Sequence, residues 1–268
     1  MEYDITKNKY SPKEKKDIWD TAFGLQKVDN LEPSDYMRHQ AQQHIQNKIE
    51  YADIEKNIKS YYKNSQEQST KEADIVSLRV AELLSRNGFK FSPATLLGIH
   101  KYLFTDILPA NIPIGKFRNY NITKKEDVLN WDTVLYDDFG MLNDTLEYDF
   151  KKESMVDYDV LNRREKAFSA MNFISDIWQI HPFGEGNTRT IAVFAIKYFR
   201  ILGFEIDNSL FKEHSKYFRD ALVLANYHKI GKTLEYLDKF TENLLLDGKN
   251  TLNITINNSG NTHIRRQR

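Results

Sequence analysis

His181-Pro182-Phe183-Gly184-Glu185-Gly186-Asn187-Thr188-Arg189 is flanked by two apolar stretches, Ala167 to Ile180 on one side and Thr190 to Leu202 on the other. Both stretches repeat apolar residues at helical spacing, so the block between them reads as a loop joining two helices and the chain as mainly α. No other part of the chain gathers a titratable base, a carboxylate, two glycines, an amide and a guanidinium so closely.

The placement suggests a chemistry. The first backbone N–H groups of a helix lack intrahelical partners and carry the positive end of its dipole, which favours phosphate. Gly184 and Gly186 allow positive φ and close backbone approach, and Arg189 can grip phosphate oxygens through its planar fork. Glu185 suits Mg²⁺, which is commonly held by one or two carboxylates plus the ligand's own phosphates. His181 can take a proton from an attacking hydroxyl near neutral pH. A zinc pair of His181 and Glu185 is disfavoured, because no third ligand lies close in sequence and the chain has no cysteine.

The block resembles the signature of the Fic family, His-Pro-Phe-x-(Asp/Glu)-Gly-Asn-Gly-Arg-x-x-Arg. The resemblance implies an enzyme that moves AMP from ATP–Mg²⁺ onto a Tyr, Thr or Ser hydroxyl of a target protein and releases pyrophosphate. It makes His181 the general base, Phe183 a buried anchor of the loop, and Glu185 the Mg²⁺ ligand. Asn187 and Arg189 become phosphate contacts, with Gly184, Gly186 and Thr188 lining the nucleotide through their backbone. Two positions depart from the pattern: Thr188 replaces the second glycine and Ala192 stands where the final arginine, which in the family holds the terminal phosphate, is expected. Transfer of UMP, phosphocholine or phosphate is the alternative, as is a weakly catalytic Fic-like regulatory protein.

Composition narrows the partners. Lys+Arg and Asp+Glu both number 38, so no net field steers the chain to nucleic acid or acidic lipid. A target protein, including a second site on this chain, is the expected partner, and a homo-oligomer is compatible with it. The lack of cysteine, of a signal-like N-terminus and of a membrane-length apolar run gives the expectation of a cytoplasmic protein.

Helical patterns fill residues 12–63, broken near Asp29 to Pro33, and the polar stretch 63–70 follows. The expected layout is a helical, antitoxin-like appendage at 1–62, a linker at 63–70, a catalytic domain at 71–250 and a tail at 251–268. Helices are predicted at 71–86, 93–107, 142–151, 163–180, 188–202, 208–227 and 233–246. Glycine stops are expected after Arg86-Asn87 and at Gly203.

Residues 115–123 alternate moderately, and residues 127–136 have strand-like composition around an Asn-Trp-Asp turn, which together predict a short β-hairpin. By the resemblance this is the flap that docks the target, with Val128, Leu129, Asn130 and Trp131 as docking residues and Trp131 as target contact or lid on the base. Tyr217, Asn226 and Tyr227 lie on a stretch similar to the family helix that meets the nucleotide; Asn226 and Tyr227 are the stronger candidates. The family's inhibitory motif, (Ser/Thr)-x-x-x-Glu-(Gly/Asn), has no full match. Gln42, Gln46 and Asn47 form a degenerate version without the glutamate. With Ala192 removing its arginine partner, removal of 1–62 is predicted to change activity by less than ~5-fold, about 1 kcal/mol.

Overall fold

The computed structural model describes residues 10–206, 209–229 and 233–254. Ten α-helices and no strand occur among them. They are α1 (Pro12–Gly24), α2 (Asp35–Ile45), α3 (Tyr51–Asn64), α4 (Lys71–Ser85), α5 (Pro93–Phe104), α6 (Leu142–Ser154), α7 (Arg163–Ile180), α8 (Asn187–Ile201), α9 (Ser209–Ala225) and α10 (Glu235–Leu245). None is long and apolar enough to cross a membrane.

Local chemistry sets several of these boundaries. Ser11 and Glu14 close a capping box on α1, and Asn162 and Glu165 close one on α7. Ser92 caps α5, with Pro93 in the first turn where its missing N–H costs nothing. Gly203 takes φ +85° after α8, as a C-terminal glycine should. At the end of α4 the expected glycine stop is not used: Arg86 turns extended and ends the helix before Gly88 is reached.

Helix α8 decides the packing. Every residue from Asn187 to Phe199 is buried, so the helix is enclosed on all sides. It packs against α4, α5 and α7. Phe194 meets Phe89, Phe91, Phe150 and Phe173 in an aromatic core.

The N-terminal region differs from an appendage. Helix α1 packs on α9 and α4, and a single hydrophobic cluster runs from Ile18 to Leu252. Gly24 sits so tightly on α9 that a Cβ there would lie 2.2 Å from the Phe211 carbonyl oxygen. Residues 65–70 do join α3 to α4, yet the turn is anchored: the Tyr62 hydroxyl bonds the Thr70 hydroxyl at 2.9 Å and also reaches buried Asp74. The tail at 255–268 lies outside the described residues.

The expected hairpin is reduced to one antiparallel bridge, Glu126 to Asp132, around a short 3₁₀ turn at Asp127–Leu129. Asn130 and Trp131 both take left-handed backbone, at φ 52° and 67°. Two consecutive left-handed residues make the tight turn, but no ladder follows from it, because residues 119–125 and 133–138 make no backbone hydrogen bonds with one another.

Candidate active site

Helix α7 ends because His181 is left-handed, at φ 52° and ψ 59°. For a residue with a Cβ this conformation costs on the order of 1–3 kcal/mol and must be held by its surroundings. Arg118 does much of the holding. Its Nε donates to the His181 carbonyl at 2.9 Å, its Nη1 to the Tyr120 carbonyl at 2.8 Å and its Nη2 to the Asp137 carbonyl. The Arg118 backbone N–H also donates to the Pro182 carbonyl at 2.9 Å. A guanidinium that is 1% exposed is thus satisfied by carbonyl oxygens.

The His181 ring is equally constrained. Its Nδ1 lies 3.0 Å from the Trp178 carbonyl, and because a carbonyl can only accept, Nδ1 carries the hydrogen. Nε2 therefore holds the lone pair. The ring packs on Tyr136, with centroids 4.1 Å apart, and edge-on to Trp178. Burial, reinforced by the positive charges of Lys124, Arg118 and Arg219, pushes its pKa well below the ordinary histidine value. The imidazole is neutral at physiological pH and able to accept a proton at Nε2.

The rest of the loop is stapled from within. Asn187 accepts from the Phe183 N–H at 2.9 Å and donates to the Phe183 carbonyl at 2.8 Å, so its amide closes the loop instead of facing outward. Phe183 is fully buried and stacks on His100 at 3.9 Å. His100 accepts from the Gly115 N–H at Nδ1, 2.9 Å, which leaves Nε2–H to donate to the Glu185 carbonyl at 3.1 Å. Burial lowers the His100 pKa to about 4, which keeps this bridge in its neutral form.

Gly186 caps α8 at φ +74°, and a Cβ there would stand 2.4 Å from Phe104 ring carbons. Thr188 turns its side chain inward, where its hydroxyl accepts from the Trp178 indole N–H at 3.1 Å. This hydroxyl ties the last turn of α7 to the first of α8, and the extra Cβ points into the protein. Ala192 is fully buried, in a position that offers no charge.

Glu185 is the one loop carboxylate. Its Oε1 accepts from the Gly186 N–H at 2.9 Å, and Lys124 Nζ lies 3.3 Å from Oε1 and 3.4 Å from Oε2. Burial opposes its charge, but Lys124 and the Gly186 N–H outweigh that, and its pKa sits below the ordinary carboxylate value. No group of three or more metal-ligating side chains occurs among the described residues. A cation here has one ionised protein ligand, which fits Mg²⁺ with waters and ligand phosphates better than zinc.

Arg189 departs from its expected role. Its side chain is 1% exposed and its Nε stands 2.7 Å from Asp29, an ion pair without hydrogen-bond alignment. Nη2 donates to Glu72 at 2.7 Å and Nη1 to Gln26 at 3.2 Å, while Phe104 covers the guanidinium at 4.8 Å. In this conformation the guanidinium joins Gln26 and Asp29 of the N-terminal region to Glu72 of α4.

The other expected residues divide. Tyr227 donates to Asp132 at 2.6 Å, tying the end of α9 to the turn at Asn130 and Trp131. Asn226 spends its amide on the Ser175 hydroxyl and the Leu222 carbonyl, each at 2.9 Å. Tyr217 bonds the Tyr236 carbonyl in the core beside α10. Val128 and Leu129 are buried and unavailable for docking, whereas Asn130 and Trp131 are exposed, Trp131 by 66%. Gln42, near the end of α2, and Gln46 and Asn47, just beyond it, are exposed, and α2 packs on α1 and α3. Asn47 accepts from Lys15 there.

Arg118, His100, Lys124 and Arg219 were not among the expected site residues. Lys124 and Arg219 bring charge to the loop, and Arg219 pairs at 2.7 Å with Glu126, whose carboxylate also accepts from Tyr136.

Comparison with known proteins agrees with the loop: residues 90–199 match the model of the Fic/DOC family. No curated protein and no solved structure gives a match.

Proposed function

We propose, from the premise that residues 90–199 are a Fic/DOC-family domain and the chain a transferase of that kind, that it moves AMP from ATP–Mg²⁺ onto a hydroxyl of a protein. The observation that carries this reading is the fixed tautomer of His181: Nδ1–H is spent on the Trp178 carbonyl, which leaves Nε2 as a neutral base on the loop that also carries Glu185. Nε2 takes the proton of the acceptor hydroxyl. The freed oxygen attacks the α-phosphorus in line, the bond to the bridging oxygen breaks, and pyrophosphate leaves with that electron pair. Mg²⁺ would be held by Glu185 with the nucleotide's own phosphates and supplies charge neutralisation at the transferring group. The first turn of α8 begins directly after Glu185-Gly186 and has no side-chain cap, as a phosphate-binding helix start requires.

The acceptor is a Tyr, Thr or Ser side chain on an extended segment. Residues 121–125 have no regular secondary structure and make no backbone–backbone hydrogen bonds, which leaves their N–H and C=O groups open to a partner segment, and exposed Trp131 stands at the turn that follows. This chain itself is one such target, by self-modification.

A second reading has a specific observation in its favour. Ala192 is buried and Arg189 is committed to Asp29 and Glu72, so α8 presents no free guanidinium to a terminal phosphate. A different nucleotide pose, or transfer of UMP, phosphocholine or phosphate, is the alternative.

Incubation of the purified chain and acceptor proteins with each labelled donor and Mg²⁺, with the products weighed, separates the readings. An adduct of AMP mass on a hydroxyl residue is expected. His181→Ala should keep nucleotide binding and lose transfer by ~10²-fold or more. An adduct of another mass selects the second reading; undiminished transfer by His181→Ala removes the base.

A further inference from the structure

The flap segment alternates in its facing. Asn121, Thr123 and Lys125 are exposed, Ile122 and Lys124 are half-buried, and Glu126 is buried. That register turns a lysine toward the catalytic loop, where Nζ lies almost equally far from both oxygens of Glu185, at 3.3 and 3.4 Å. The pair is loose: the Arg189 and Arg219 pairs close to 2.7 Å, whereas Lys124 and Glu185 remain 28% and 35% exposed.

Three cations act on His181, namely Lys124, Arg118 and Arg219. They are not equivalent. Arg118 is spent on carbonyl oxygens and Arg219 on buried Glu126. Lys124 alone has, as its anion among the described residues, the carboxylate on the catalytic loop. With Arg189 committed and Ala192 uncharged, the partly exposed positive charge at this site comes from Lys124 and not from α8.

We propose that Lys124 is a phosphate-binding residue of the nucleotide site, and that its pairing with Glu185 makes divalent cation and nucleotide bind cooperatively. This rests on the reading of Glu185 as a metal ligand. A divalent cation arriving alone must take the carboxylate from Lys124 and leaves the ammonium facing a like charge a few ångströms away. A polyphosphate arriving with it supplies the anion that both cations then share. The displaced lysine exchanges one partner for another, so metal alone binds weakly and metal with nucleotide binds tightly.

The probes are Mn²⁺ and α,β-methylene-ATP, which cannot be cleaved at the bond that breaks, with free Mn²⁺ followed by electron paramagnetic resonance and the nucleotide by calorimetry. In the wild type, Mn²⁺ affinity should rise about tenfold or more when the analogue is present. Lys124→Met should bind Mn²⁺ alone more tightly and should bind the analogue about tenfold more weakly at saturating Mn²⁺, so that the coupling collapses; Lys124→Arg should retain it. The lysine reaches solvent, and both variants should melt as the wild type does; if Lys124→Met loses its cooperative melt, Lys124→Gln carries the same measurement. Unchanged coupling and analogue affinity in a folded variant, with a wild type that binds both probes, overturns the role of Lys124 and leaves the proposed function standing. A wild type that binds neither probe overturns both.

Discussion

A charged group enclosed by protein is stable only when its donors are met, and Arg118 meets that condition with backbone carbonyls from three separate places. The planar fork is what allows one side chain to hold the left-handed His181 and the entry to the flap together. Arg118→Lys keeps the charge but loses the fork, leaving at least one buried carbonyl without a donor, at a cost of about 1–3 kcal/mol. Transfer should fall more than stability suggests, by ~10²-fold, because a shift of about 1 Å in His181 is enough to misplace the base. Thermal unfolding and transfer rates measured on the same sample check this; a variant equal to wild type in both would sink the idea of Arg118 as the hub of the loop. The contrast with His181 and Glu185 shows what the sequence reveals. The roles proposed for them rest on residue type and spacing inside one short block. The roles of Arg118 and His100 depend on contacts across 63 and 85 residues, and nothing in the local pattern of Gly115-Lys116-Phe117-Arg118 or of α5 announces them.

The loop as an element is fixed by two left-handed positions, one at each end: His181 stops α7 and Gly186 starts α8. The two glycines in it are not interchangeable. At Gly186 an added Cβ meets the Phe104 ring at 2.4 Å on a backbone that disfavours side chains, and Phe104 is itself buried against Arg189. At Gly184 the nearest atom, at 2.3 Å, is the hydroxyl at the far end of Tyr120, a half-exposed side chain that can swing aside. Gly186→Ala should therefore destabilise by about 2–4 kcal/mol, from strain and overpacking together, and should abolish transfer. Gly184→Ala should cost under about 1 kcal/mol. Denaturant melts of the two variants test the asymmetry, and equal midpoints would refute it. Helices were legible here because caps and apolar periodicity act locally: α7 was expected at 163–180 and spans Arg163–Ile180. The flap was not. Val128, Leu129, Trp131 and Val134 have strand composition, yet Val128, Leu129 and Val134 are drawn into the core, and a 3₁₀ turn with two left-handed residues leaves a single bridge.

At the scale of the whole molecule, the sequence divides where the structure does not. The polar run at 63–70 reads as a boundary because composition reports exposure, and exposure does not reveal that the helices on either side share one core. Ile18, Trp19, Leu25, Val28, Met37, Ile54, Ile58 and Tyr62 are all buried in or beside it. Asp29 and Gln26 also hold Arg189 from the N-terminal side, 2.7 and 3.2 Å away. The expectation that removal of residues 1–62 leaves activity within about fivefold rested on the missing clamp, an uncharged Gln46 and no arginine at Ala192, and took no account of the core that these helices share with the rest of the chain. Burial of each large side chain contributes roughly 1.5–3 kcal/mol, so even half of the total for these eight residues is about 6–12 kcal/mol. That is comparable with the whole net stability of a typical domain, about 5–15 kcal/mol. The fragment 63–268 should consequently lose its cooperative melt, bind a hydrophobic dye and show no transfer, while Arg189 is left with Glu72 as its one remaining carboxylate. Adding the 1–62 peptide back should restore structure and activity together. A fragment that melts cooperatively and transfers within about fivefold of the full chain would show that the N-terminal helices cover the core without supporting it. A fragment that transfers faster, and is slowed by the peptide, would restore the inhibitory reading through contacts other than those of α2.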